Sequence, residues 1–182
     1  VQQLQVAAIH EQVAALEAVA ETFKGVVVVD EAYAPFAGAD SLSLMKRLGN
    51  VILVRTLSKS HSLAGLRIGF ALCGGELAQG LLKVKDSYNV DRLAQAGAAA
   101  ALEDTAYNQE VIGRIKSERE RLKGILESLG LQVGSSQANF LLTELGGSQK
   151  ASDVLGKLRE KGILVRHFPE VQRLSGSLRI TV

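Results

Sequence analysis

Three short stretches hold most of the reactive side chains of this sequence. Asp30-Glu31-Ala32-Tyr33 follows a run of four valines, Val26 to Val29. Arg55-Thr56-Leu57-Ser58-Lys59-Ser60 follows a second apolar run, Val51-Ile52-Leu53-Val54. Leu63-Ala64-Gly65-Leu66-Arg67-Ile68-Gly69 overlaps a third run, Leu66 to Leu72, which contains a charge and a glycine. An acid, a phenol, two hydroxyls, a lysine and an arginine therefore stand where apolar runs end or begin. If the runs are strands of a parallel sheet, these side chains converge on one rim, because ligands of such sheets bind at the carboxyl ends of the strands. Asp30, next to four valines, is expected to be partly desolvated, and a desolvated carboxylate requires a cationic partner.

The types suit one ligand chemistry. Thr56, Ser58 and a guanidinium such as Arg67 suit a phosphate. Asp30 suits a protonated ring nitrogen, and the Lys59 amine can condense with an aldehyde. Pyridoxal 5′-phosphate carries all three handles. Each residue also has a plainer reading: Asp30 as a turn cap, Lys59 as a solvated loop lysine, Tyr33 as a packing residue with a wetted hydroxyl, Arg67 as a partner for a carboxylate. The four occurring together favour the ligand reading. Glu31 stands either behind such a site or on the surface. One cysteine and three histidines without ligand spacing give no metal site, and no G-x-x-x-x-G-K-[ST] stretch occurs.

The elements that must position these groups follow from periodicity. Residues 3–24 carry apolar side chains mostly three or four apart and predict a helix stopped by Gly25. The unbroken valine run predicts a strand buried on both faces. Gly74-Gly75, after Cys73, reads as a strand end and turn. Asp91 to Leu102 predicts an alanine-rich helix, and Thr105 to Leu129 a longer one whose charges alternate in sign, closed by Gly130. Shorter pieces follow: strands over Leu131–Val133, Ala138–Leu142, Ile163–Val165 and Ser177–Val182, and a helix from about Ser148 to Lys161. This is an α/β first part (residues 1–104), a connecting helix (105–129) and a small α+β part (130–182).

Composition agrees with a folded chain. Of 182 residues, 47% are hydrophobic and 22% charged, which excludes a disordered polypeptide. A net charge of +2 gives no basic surface for nucleic acid or membrane lipid. No apolar run approaches membrane-spanning length, and no secretory signal opens the chain. The lone Cys73 suits a reducing compartment.

D-E-A-Y, then T-L-S-K, then L-A-G-L-R-I-G with Arg67 eight residues past Lys59, resembles a fold-type-I, pyridoxal-phosphate-dependent aminotransferase. The later segments G-I-L-V-R-H-F-P and L-R-I-T-V are similar to the histidinol-phosphate aminotransferase family. The resemblance runs from about Gly25 to Val182. It implies a three-layer α/β/α domain with a mostly parallel sheet, followed by a small α+β domain. It also implies that the chain, which opens on valine, corresponds to the family's C-terminal portion, with the N-terminal half absent. The implied reaction is transamination of histidinol phosphate with 2-oxoglutarate in histidine biosynthesis. The alternatives are another class I/II aminotransferase, a threonine-phosphate decarboxylase on the same scaffold, or a fragment without catalysis. By the resemblance, Asp30 pairs with the pyridine nitrogen and Tyr33 with the ring hydroxyl. Thr56, Ser58 and Arg67 take the cofactor phosphate. Lys59 holds the cofactor and moves the proton, and Arg179 binds the amino acid's carboxylate. The implied setting is a cytoplasmic homodimer acting on amino-acid and 2-oxo-acid substrates, without nucleic acid or membrane. Arg166, Asn139, His61 and His167 receive no firm role.

Overall fold

A computed structural model describes residues 9–146 and 150–182. The first helix, α1, covers Ile9–Thr22; the expected start at residue 3 lies outside the described residues. Its end is fixed from a distance. Asn50 Nδ2 reaches the carbonyls of Ala20, Phe23 and Gly25 at 2.9, 3.1 and 3.1 Å, satisfying acceptors that a helix end leaves unpaired.

The valine run becomes β1 (Val27–Asp30). A turn leads to the short α2 (Ala34–Ala37) and then α3 (Leu42–Arg47). β2 (Val51–Thr56) pairs parallel to β1, with Asp30 opposite Val54. The short α4 (Leu57–Ser60) and a 3₁₀ turn (Ala64–Leu66) precede β3 (Gly69–Cys73). β3 is antiparallel to β2, with Thr56 opposite Gly69. The third apolar run therefore becomes a strand only from Gly69, and Leu66 and Arg67 belong to the turn before it. A Cβ at Gly69 would lie 2.6 Å from Arg55 O, so glycine is what lets β3 start this close to β2.

The core of this sheet sits on one face. Ala20, Leu44, Val51 and Leu53 form its buried centre, with Leu16, Val27, Val29, Met45 and Leu72 packed around them. The expectation that β1 is buried on both faces is not met. Val27 and Val29 point inward, whereas Val28 is 60% exposed, because successive strand residues face opposite sides and no described element covers the second face.

α5 (Gly75–Val84), which the glycine pair disguised, starts with Gly74 as its N-cap. α6 (Arg92–Glu103) is capped by Asp91, whose carboxylate accepts from Ala94 N at 2.8 Å. α7 (Thr105–Ser128) follows, and Gly130 adopts φ +81 just beyond it, the left-handed end that glycine permits.

The chain divides into two units, Val1–Ile112 and Gly113–Val182, and the division falls inside α7. The second unit holds a four-stranded antiparallel sheet in the order β4 (Gln132–Val133), β5 (Phe140–Glu144), β7 (Ser177–Thr181), β6 (Arg166–His167). α8 (Ala151–Glu160) belongs to the same unit; the expected helical residue Ser148 lies outside the described residues. The strand expected at Ile163–Val165 is displaced to Arg166–His167, because the pairing with β7 is made by Arg166 opposite Arg179 and His167 opposite Leu178. Leu141, Thr143 and Leu178 are at most 2% exposed and centre this unit's core. No described helix is long and apolar enough to cross a membrane.

Candidate active site

In the first unit the candidate residues gather where β1 and β2 end and β3 begins. Thr56 is extended and caps α4: its Oγ1 accepts from Ser58 N at 3.1 Å. A hydroxyl that accepts one hydrogen bond still has its proton to donate, so Thr56 remains able to meet an anion. α4 is held at both ends. Leu57 is 1% exposed and Ser60 2% exposed, and Asn108 Nδ2 of α7 donates to Ser60 O at 2.7 Å. Lys59 stands exposed between these anchors. Its Nζ lies 5.9 Å from the centre of the Tyr33 ring, which brings the β1 and β2 loops together over one point.

Asp30 is exposed, which corrects the expectation of desolvation. The cause is the same open face that leaves Val28 exposed, since Asp30 is two residues further along that face. Its Oδ1 accepts from Ala32 N at 3.0 Å, so it does cap the turn, and it makes no ion pair among the described residues. Arg67 adopts φ +52, an uncommon conformation for a residue with a side chain. Its Nη1 donates to Ala64 O at 2.8 Å, and no described carboxylate pairs with it. The guanidinium keeps most of its donors for an anion.

Sequence alone leaves Glu31 undecided and gives Arg55 no role. Glu31 is 6% exposed and accepts from Ser41 N and from Arg55 Nε and Nη2. Burial works against the Arg55 charge, but the hydrogen bonds and charges of Glu31 and Asp40 outweigh it and raise its pKa. The available signal was an arginine placed between an apolar strand and Thr56. An open cleft of about 500 Å³ is lined by Ile68, Gly69, Lys85, Tyr88, Asn89, Val90 and Gln95; it shares Gly69 with this rim but none of the candidate side chains.

His61 follows in the same segment, with Nδ1 2.9 Å from Ser60 Oγ. Burial lowers its pKa from the ordinary 6.5. The folded chain therefore binds this proton less readily than the unfolded one, and the stability it contributes is present above about 6.5 and is lost as pH falls through the folded value. Urea midpoints are expected to drop as pH falls below about 6.5, and His61→Asn should flatten that drop. Equal slopes in the two proteins would contradict the assignment.

In the second unit Arg179 sits on β7 with its guanidinium 5.1 Å from the Phe140 ring centre and 5.7 Å from that of Phe168. Among the described residues its buried Nε has no hydrogen-bond partner, and neither has the buried Gln137 Oε1. Arg166, opposite Arg179 in the ladder, also stacks on Phe168, at 5.6 Å. Neither arginine has a described carboxylate partner. Two facing cations and an unpaired buried donor favour an anionic ligand. His167 donates from Nε2 to Ser175 O at 2.8 Å and so serves the fold. Asn139 likewise lies beside β5, its carbonyl accepting from Val182 N.

Residues 6–182 match the family described as aminotransferase class I and II. The chain is 48% identical over 167 residues to histidinol-phosphate aminotransferase 1 of Nostoc sp., a match covering 92% of this chain and 47% of that protein. It is 44% identical over 160 residues to histidinol-phosphate aminotransferase 2 of Thiobacillus denitrificans, covering 86% and 44%. Among solved structures, histidinol-phosphate aminotransferase from Sinorhizobium meliloti, in complex with pyridoxal-5′-phosphate, superposes with a TM-score of 0.83 at 33% identity, covering 97% of this chain and 48% of that one. The chain thus spans about half the length of the relatives it matches. The rim built from D-E-A-Y, T-L-S-K and the Arg67 turn occurs within a match over nearly the whole chain, and the chain belongs to the aminotransferase class I and II family.

Proposed function

We propose that this chain forms the lysine-bearing part of an enzyme that transfers an amino group from histidinol phosphate to 2-oxoglutarate with pyridoxal 5′-phosphate. The observation that carries the reading is the rim itself: Lys59, fixed between two buried anchors and 5.9 Å from the Tyr33 ring, in a chain 48% identical to a histidinol-phosphate aminotransferase. The donor set fits the cofactor. Thr56, Ser58 and the left-handed Arg67 turn offer hydroxyl and guanidinium donors for its phosphate, Asp30 an anion for its ring nitrogen, and Lys59 an amine for its aldehyde.

When bound, the cofactor supplies a ring that stabilises negative charge at the substrate's α-carbon. The chain's residues do the rest. Asp30 would keep the ring nitrogen protonated, and Tyr33 would offer its hydroxyl to the ring hydroxyl. Lys59, once freed from the aldehyde, would take the substrate's α-proton as a general base. Arg179, with Arg166 opposite, receives an anionic group of the substrate. Both reaction partners present one, a phosphate on the donor and a carboxylate on the acceptor. The reading extends to a homodimer acting in the cytoplasm, where the single free cysteine suits a reducing environment.

The test is a chimera in which this chain replaces the matching segment of the Nostoc enzyme. It should form glutamate from histidinol phosphate and 2-oxoglutarate. Release of carbon dioxide from threonine phosphate, with no glutamate formed, would instead support the decarboxylase reading.

A further inference from the structure

Resting on the proposed function, we infer that Glu31, Arg55 and Asp40 form a positioning clamp that sets Tyr33 against Lys59. None of the three is among the residues expected to touch cofactor or substrate. Glu31 directly follows Asp30, and Arg55 directly precedes Thr56, so the clamp joins the two chain segments that carry the candidate groups. It does so through both carboxylate oxygens of a buried residue. Glu31 Oε1 accepts from Ser41 N at 2.6 Å and closes the loop that holds Tyr33 and α2. Glu31 Oε2 accepts from Arg55 Nε at 2.9 Å and Nη2 at 2.8 Å, tying that closed loop to β2. Arg55 Nη2 also donates to Asp40 Oδ2 at 2.9 Å, a second tie next to the loop's far end. The backbone reinforces the near end, where Glu31 N donates to Val54 O at 2.8 Å.

Tyr33 lies inside the closed loop, and its ring is 5.9 Å from Lys59 Nζ. Lys59 is fixed independently by Leu57 and Ser60. The spacing of the two groups therefore depends on how the loop is fixed to β2. A planar guanidinium suits the task because it donates to two carboxylates at set angles, which an ammonium cannot reproduce. Glu31 is 6% exposed, so it cannot exchange its partners for water.

The test uses this chain with its tyrosines replaced by 3-fluorotyrosine. There are three, Tyr33, Tyr88 and Tyr107, so each fluorine line reports one position. Glu31→Gln keeps the size and removes the charge; Arg55→Lys keeps the charge and removes the fork. In both, the Tyr33 line should shift and broaden while the Tyr88 and Tyr107 lines stay in place. When the same substitutions are placed in the chimera with the Nostoc enzyme, pyridoxal phosphate, titrated by fluorescence, should bind about tenfold more weakly. Asp40→Asn removes only the outer carboxylate and should shift the Tyr33 line in the same direction by less; it decides the matter if a Glu31 variant does not fold. An unmoved Tyr33 line, or three lines moving together, would overturn the clamp. The fluorine spectrum is read without ligand, so failure of the unsubstituted chimera to take pyridoxal phosphate counts against the proposed function and leaves the spectral test of the clamp intact.

Discussion

Asp30→Asn is expected to lower turnover of the chimera with the Nostoc enzyme at least about 10²-fold, roughly 3 kcal/mol of barrier, while cofactor stays bound. The substitution conserves size and the Oδ1 acceptor, so the bond from Ala32 N and the turn it caps survive. What is lost is the negative charge proposed to keep the ring nitrogen protonated. That charge matters most as the α-carbon gives up its proton, so the loss falls on the chemical step. Asp30 has no cationic partner among the described residues, so removing its charge leaves no buried cation stranded and stability should hardly change. Turnover within a few-fold of the unsubstituted chimera would mean that the carboxylate only caps its turn.

Arg179→Ala is expected to raise the KM for 2-oxoglutarate by roughly 30- to 150-fold, about 2–3 kcal/mol of lost charge-assisted hydrogen bonding. Cofactor affinity should stay near its original value, because Thr56, Ser58 and Arg67 are expected to hold that end. Arg179→Lys should recover little. The guanidinium lies within about 6 Å of both the Phe140 and Phe168 rings, and an ammonium offers neither the plane nor the fork. A variant that loses cofactor and keeps its affinity for 2-oxoglutarate would show that Arg67 and Arg179 have each other's roles.

The candidate site was legible where function coincides with the end of an apolar run. Asp30, Thr56 and Lys59 stand there because a buried strand must surface before polar residues can follow it. The helices α6 and α7 were legible because Asp91, Gly130 and alternating charges mark their ends and faces. α5 was not, since Gly74-Gly75 looks like a turn until Gly74 is seen to cap a helix. The valine run misled for a different reason. Four valines look alike on both faces, and whether the second face is covered depends on elements far away in the chain. β6 moved because an apolar stretch, Ile163–Val165, suggests a strand, while pairing is decided by the partner strand's register. The clamp was hidden most completely: no spacing tells that Ser41 N returns to Glu31, ten residues back, or that Asp40 shares Arg55 with it.

Everything proposed for the rim depends on Lys59 carrying the cofactor. The chimera is saturated with pyridoxal phosphate, reduced with borohydride, digested, and its peptides are mapped by mass spectrometry. The reduced adduct is expected on Lys59, with Lys59→Ala abolishing it; an adduct on Lys46, Lys83 or Lys85, persisting in Lys59→Ala, would contradict that role.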